Sequence, residues 1–321
     1  MTTSPDGAAP MGDAVRDPRS AGVPTCYRHR DRETYLRCHR CERSICTDCM
    51  VSAAVGYQCP ECVRGGAKTI RQPRTSVGGR VHARQGVVTI ALIAVNVVMY
   101  GLQHLAGAAF SARLDLTAIS GAIPSDSHIG VANGEWYRLV TAMFLHLSPA
   151  HIAMNMLSLW WIGLPVESRL GRLRYLLTYL VCGIGASAVS FAFMGRYSYY
   201  SEGASGAIFG LLGVLAVLAY RERLNMQPII VVIVLNLAFS FAVPGIDWHD
   251  HLGGLAGGLV LGFAFAFAPR SRSRDRIPWY RNPQNLVPLG AGAAILAASA
   301  LTVVIHSNTL LQSGAAGALL G

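Results

Sequence analysis

Seven apolar runs, each close to the length of a membrane helix, constrain this chain more than any other feature of its sequence. They cover roughly residues 87–106, 149–166, 173–194, 204–220, 227–243, 251–268 and 286–306, and about 20 apolar residues suffice to cross a bilayer as a helix. Composition agrees: the chain is 52% hydrophobic and 14% charged, against about 25% charged residues in soluble proteins. A soluble fold of 321 residues could not hide so much apolar surface. The chain reads as an all-α polytopic membrane protein.

The charge distribution orients it. Lysines and arginines within residues 64–84, 169–174, 221–223 and 270–281 all fall on one side of the spans, while Arg113, Arg138 and Arg196 fall on the other. The basic side is the cytoplasmic one, which places the N-terminus inside and the tail after the seventh span outside. A net charge of +10 would suggest nucleic acid as a partner in a soluble protein. Here membrane flanks account for it, and no nucleic-acid partner is expected. Residues 1–22, MTTSPDGAAPMGDAVRDPRSAG, lack an apolar centre, so a disordered start without a cleavable signal peptide is expected.

Seven of the eight cysteines lie between Cys26 and Cys62; Cys182, in an apolar run, is expected to be a packing residue. The spacing is Cys26-x2-His29, Cys38-x2-Cys41, Cys46-x2-Cys49 and Cys59-x2-Cys62, four pairs that give eight ligands. Tetrahedral zinc takes four, so two structural ions fit and no open position remains for catalysis. A disulfide framework is the rival, but a module on the basic side sits in a reducing compartment. His39 is expected to stand outside the ligand set. The arrangement resembles the B-box zinc fingers, in which alternate pairs share a metal. That resemblance implies one ion on Cys26, His29, Cys46 and Cys49, and another on Cys38, Cys41, Cys59 and Cys62. A partner of the module, or a sensing role, is the expectation for its use.

Polar side chains inside spans are costly and commonly functional. His151 and Asn155 lie in the first turns of the second span, Ser205 begins the fourth and His251 begins the sixth. All three spans run from outside to inside, so these residues converge at one depth near the outer face. Taken singly each has a plainer role: Ser205 as a helix N-cap, His251 and Asn155 as interhelical hydrogen-bond partners. Together they compose a chemistry. A serine hydroxyl becomes a nucleophile when a base takes its proton, and His251 is the base at that depth. His151 and Asn155, spaced i, i+4, share a helix face from which both can donate to an oxyanion, with the Ser205 N–H as a third donor. Asp247 and Asp250 are expected in a solvated loop, which leaves a Ser-His dyad. Glycines at 206, 210 and 213, and at 253, 254, 257, 258 and 262, allow the two helices to approach closely.

The stretches HLSPAHIAMN, GASGAIFG and HLGGLAGG resemble the rhomboid intramembrane serine proteases, over about residues 86–268. The resemblance implies a six-helix core, Ser205 as nucleophile, His251 as base, and His151 and Asn155 at the oxyanion hole, with His146 and Gly203 supporting the site. It also matches Glu167 and Arg169 in VESRLG, Phe209 as a ring beside the base, and Trp136 and Arg138 in EWYRLVTAMF, where Tyr137 intervenes.

The expected organisation is therefore a disordered N-terminus (1–23), a cytoplasmic B-box-like zinc module (24–64), a basic linker (65–85) and a rhomboid core (86–268). A cytoplasmic loop (269–285), a seventh transmembrane helix (286–307) and a short tail (308–321) follow. The expected function is hydrolysis of peptide bonds within transmembrane segments of other proteins, at the cell membrane, with no cofactor needed for catalysis. Two rivals are a catalytically inactive relative that binds or traffics membrane partners, and a transporter. A transporter would place its polar groups at mid-membrane, often within internal repeats, and neither is evident.

Overall fold

The computed structural model describes residues 22–69, 74–79, 81, 84–119, 129–195, 200–269 and 281–320. The expected disordered start, parts of the basic linker, Arg196 and the arginines between 270 and 276 lie outside the described residues. The chain divides into two compact units, Met1–Gln72 and Pro73–Gly321.

In the first unit, β1 (Val51–Ser52) pairs antiparallel with β2 (Tyr57–Gln58), and α1 (Pro60–Thr69) follows. So few elements enclose little apolar matter. The buried cluster is Ile45 with Cys26, Cys38, Cys46, Cys49 and Cys59, so the cysteines themselves form its centre.

The second unit is helical. In chain order it holds α2 (Val87–Ala106), α3 (Ala108–Leu114), α4 (Arg138–Thr141), α5 (Pro149–Leu170) and α6 (Arg172–Phe193). Then come α7 (Ser205–Arg221), α8 (Gln227–Ala242), α9 (Trp248–Phe267) and α10 (Pro283–Leu320). Each of the seven apolar runs is a helix. Four of them (α2, α6, α9 and α10) are long and apolar enough to cross a membrane among the described residues, while α7 and α8 are apolar but only 17 and 16 residues long. Polar His151, Asn155, Glu167 and Arg169 dilute the apolar character of α5. The protein is a multi-pass membrane protein.

Helix α7 is the hub. Most of its residues are buried, and α5, α6 and α9 pack around it. Its contact with α9 is backbone to backbone. A Cβ on Gly258 would lie 1.9 Å from the Gly210 carbonyl oxygen, and one on Gly254 would lie 2.0 Å from that of Gly206. Small residues at i, i+4 on both helices are what permit such an approach.

Glu167 finds its role at the start of α2, whose own N-cap, Gly86, offers no side chain. Its carboxylate accepts from the backbone N–H of Val88 (3.1 Å) and Thr89 (2.8 Å) and from the Thr89 hydroxyl (2.8 Å), so α5 satisfies orphan donors of a neighbouring helix. Arg169 pairs with Glu222 (2.9 Å), just beyond α7.

Candidate active site

Ser148 sets the entry to α5: its hydroxyl accepts from the His151 N–H (3.2 Å), and Pro149 follows at the first helical position, a favoured N-terminal pattern. His151 thus occupies the first turn, and Asn155, buried, lies one turn further on the same face. The Leu147 N–H donates to His151 Nδ1 (3.4 Å), which puts the ring proton of neutral His151 on Nε2.

That Nε2 faces a gap. Gly203 has φ +149°, and a Cβ there would lie 3.1 Å from His151 Nε2 and 3.4 Å from Ser205 Oγ. The missing side chain therefore leaves a space about one atom wide between an N–H donor and a hydroxyl. The segment before α7 is anchored on both sides of Gly203. Ser201 exchanges backbone hydrogen bonds with Leu116 (2.9 and 3.0 Å), and the Gly203 N–H donates to the Ala142 carbonyl (3.0 Å).

Ser205 is the first residue of α7, after Ala204, and no side chain caps the helix from within. The capping role read for Ser205 as a plainer alternative is not what is seen. The carboxylate of Asp250, on α9, accepts from the Gly206 N–H instead. This also corrects the expectation that Asp247 and Asp250 are solvated. Helix α9 starts at Trp248, before His251, because Asp247 caps it by accepting from the Asp250 N–H (3.2 Å). Both acids are drawn into the packed junction, where Asp247 also bonds the Ser190 hydroxyl.

His251 is buried and its ring stacks on Phe209, centroids 4.4 Å apart. Phe209 is four residues after Ser205, so Ser205 and the ring beneath His251 share one face of α7. Nδ1 of His251 lies 2.6 Å from the Ser240 hydroxyl on α8.

Comparison with known proteins matches residues 133–267 to the Rhomboid domain model. The rhomboid protease GluP of Bacillus subtilis (strain 168) is 42% identical over 175 residues, 53% of this chain and 33% of GluP. A second protein of that organism, YdcA, named for the rhomboid family, is 39% identical over 141 residues, 42% of this chain and 70% of YdcA. The chain belongs to the rhomboid family. The chain spans about a third of the length of GluP and of the Rhomboid-type serine protease 2 of Emericella nidulans, which is 34% identical over 168 residues. Within the rhomboid match lie His146, His151, Asn155, Gly203, Ser205 and His251. The N-terminal unit, α2 and α10 fall outside it.

Sequence reasoning missed three residues that bond into this candidate site. Gln103, near the end of α2, accepts from the His146 N–H (2.9 Å) and donates to Ser111 (3.1 Å) and Glu202 (3.5 Å). Glu202 is pushed up to about 7 by burial and then by Asp115. Ser240 is the third. Each bonds across to another element: Gln103 to His146 and Glu202, and Ser240 to His251. A polar side chain in an otherwise apolar run was the only available signal for Gln103 and Ser240. His146 itself is buried, with neither ring nitrogen hydrogen-bonded among the described residues, and sits edge-on to His151 at 5.1 Å.

The cysteine unit brings its eight residues into two groups, Cys26, His29, Cys46 and Cys49, and Cys38, Cys41, Cys59 and Cys62. In each group the donor atoms all lie within 4.8 Å of one another, so each could hold a metal ion. His39 stands apart and accepts from the Tyr57 N–H (3.3 Å). Backbone N–H groups point at the sulfurs, with Cys59 N–H on Cys38 Sγ at 3.2 Å and Cys62 N–H on Cys59 Sγ at 3.3 Å.

Proposed function

We propose that the chain is an intramembrane serine endopeptidase that hydrolyses peptide bonds in transmembrane segments of other membrane proteins. The observation that carries this reading is the gap at Gly203, bordered by Ser205 Oγ and His151 Nε2. A scissile carbonyl placed there has a hydroxyl at its carbon and an N–H donor at its oxygen.

In this mechanism Ser205 Oγ attacks the carbonyl carbon while His251 Nε2 takes the hydroxyl proton. The oxyanion is held by His151 Nε2–H, the Asn155 amide and the Ser205 backbone N–H. His251 then gives its proton to the leaving amine and an acyl-enzyme remains. Water, activated by His251 in the same way, releases the acyl group and restores Ser205. His146 packs behind His151, and Gly203 keeps the space open. The substrate helix must unwind locally, since its amides are otherwise hydrogen-bonded within the helix, so small or helix-breaking residues near the cut favour cleavage.

In this reading the N-terminus is cytoplasmic and the site opens toward the outer face, as the arginine and lysine distribution along the sequence suggests. The two cysteine groups would each hold a structural zinc ion. Cys41 Sγ and Cys59 Sγ are 3.8 Å apart, and two sulfurs bound tetrahedrally at a zinc–sulfur distance of about 2.3 Å stand about 3.8 Å apart. Zinc would supply folding free energy to a unit with almost no other core, and the unit would present a surface to a protein partner.

The test is cleavage of a transmembrane substrate by the purified protein in proteoliposomes, beside Ser205→Ala and His251→Ala. Both variants lose cleavage, and a fluorophosphonate labels the parent but not Ser205→Ala. Cleavage by both variants at the parent rate would refute the dyad, whereas a parent that neither cleaves nor takes the label would favour the reading as an inactive partner-binding relative.

A further inference from the structure

Helix α8 is almost wholly apolar, QPIIVVIVLNLAFSFA, and Ser240 is the one residue in it that is buried. The Ser240 hydroxyl has two neighbours. It donates to the Asn236 carbonyl one turn back (2.7 Å) and lies 2.6 Å from Nδ1 of His251. A serine hydroxyl carries one proton. With that proton on the Asn236 carbonyl, the contact with His251 uses the serine oxygen as acceptor, so Nδ1 must be the protonated nitrogen. The lone pair of the neutral ring then belongs to Nε2, on the edge pointing away from α8.

The acids nearest His251 in the chain are engaged elsewhere. Asp247 accepts from the Asp250 N–H and the Ser190 hydroxyl, and Asp250 accepts from the Gly206 N–H. Phe209, stacked on the ring face, restricts tilt and cannot choose a tautomer. Only a hydrogen bond at a ring nitrogen can do that.

We propose that Ser240 is a positioning residue for His251: its oxygen holds Nδ1–H, which fixes the tautomer whose Nε2 can take the proton of Ser205, and ties α8 to the base. This rests on the reading of Ser205 and His251 as the reacting pair. A neutral hydroxyl replaces the carboxylate of a Ser-His-Asp arrangement, so it orients the imidazole without placing a full negative charge beside it.

The experiment uses the full chain in proteoliposomes with Ser240→Ala, Ser240→Val and Ser240→Thr. Threonine keeps a hydroxyl able to bond the carbonyl at i−4, and valine has its shape without the hydroxyl. Ser240→Ala and Ser240→Val should lower kcat about tenfold, by analogy with the low end of the loss when a group that orients a metal-bound histidine is removed, with KM within about twofold. Ser240→Thr should stay within about threefold of the parent. Fluorophosphonate labelling should slow in parallel with kcat. Nitrogen NMR of histidine-labelled protein, with His251→Ala to identify the signal, should show Nδ1–H in the parent and a tautomer mixture in Ser240→Ala. Parent-like kcat in both alanine and valine variants, or an unchanged tautomer in Ser240→Ala, overturns the proposal. If valine matches threonine, shape alone matters and the hydrogen-bond role is overturned. If Ser205→Ala and His251→Ala cleave and label like the parent, the reacting pair itself is wrong and the role of Ser240 falls with it. If those two are dead while Ser240→Ala is unimpaired, only the role of Ser240 fails.

Discussion

The imidazole of His251 lies nearly parallel to the ring of Phe209, with centroids 4.4 Å apart and planes 17° from parallel. Because Phe209 follows Ser205 by one helical turn, the platform under the base and the proposed nucleophile are carried on one rigid helix face. Phe209→Leu, which keeps most of the volume and loses the flat surface, should lower kcat by about tenfold, since small errors in placing a reacting group are expensive. Phe209→Tyr should retain the parent rate. Steady-state cleavage with thermal unfolding on the same samples separates rate from stability, and parent-like kcat in Phe209→Leu would remove the platform role.

The glycine stripe gives a stability prediction. A Cβ on Gly258 collides with the Gly210 carbonyl, and one on Gly213 would stand 2.7 Å from the Leu255 carbonyl oxygen. Backbone cannot yield as a side-chain tip does, so α7 and α9 must separate. Gly258→Val should destabilise by more than about 3 kcal/mol and abolish cleavage. Gly290→Val is the control, because a Cβ there meets nothing within 4 Å and the unfolding midpoint should hardly move.

How far this was readable from sequence depends on the range of each interaction. The seven helices follow from apolar run length, a local property. The convergence of His151, Ser205 and His251 follows from topology, because helix direction and depth can be counted along the chain. Asp250 could not be read that way. Its identity suggests solvent, and only the N-terminus of α7, brought against it by the glycine contact, supplies the Gly206 N–H that it accepts. Gln103 and Ser240 are similar cases, each fixed by partners 43 and 11 residues away. Arg138 was recognisable as part of a motif, yet its burial depends on the Asp115 carboxyl group and on the carbonyls of Ala112 and Asp115 at the end of α3.

His146 should make stability depend on pH. Burial, and then the neighbouring His151, push it down to about 3, while in the unfolded chain a histidine titrates near 6.5. Between those values the unfolded chain holds a proton that the folded chain rejects, so stability falls as pH falls through that window and is unaffected above it. The slope from this one residue is about 1.4 kcal/mol per pH unit. His146→Leu should flatten unfolding measured from pH 7 to pH 4 by about one proton, and an unchanged slope would show that His146 is not buried in its neutral form.

The ligand grouping in the cysteine unit predicts metal stoichiometry. Two equivalents of zinc per chain are expected for the parent by elemental analysis. Cys26 and Cys46 belong to one group and Cys38 to the other. The double variant Cys26→Ala/Cys46→Ala should therefore lose one equivalent, and Cys26→Ala/Cys38→Ala should lose both. The reverse order would mean that sequential rather than alternate pairs share an ion. Chelation of the full chain should expose residues 22–69 to protease while the helical unit stays resistant.

Arg138 carries the last prediction. Its side chain is 1% exposed, with Nε on Glu135 at 2.7 Å and one terminal nitrogen on Asp115 at 3.0 Å. That nitrogen also reaches the carbonyls of Ala112 and Asp115, both at 2.9 Å. The guanidinium thus ties α4 to the end of α3, next to the Leu116–Ser201 bridge that anchors the approach to Gly203 and Ser205. Burial pushes Asp115 up to about 6 despite the attraction of Arg138, so removing the arginine leaves a carboxyl group and two carbonyls without their donor. Arg138→Leu should cost about 3–5 kcal/mol, the range for breaking a buried pair from one side. Arg138→Lys should recover little, because a single ammonium cannot span Glu135, Asp115 and both carbonyls at once. Thermal unfolding in detergent measures both. A lysine variant as stable as the parent would mean that charge alone, and not the shape of the guanidinium, holds this loop beside the site.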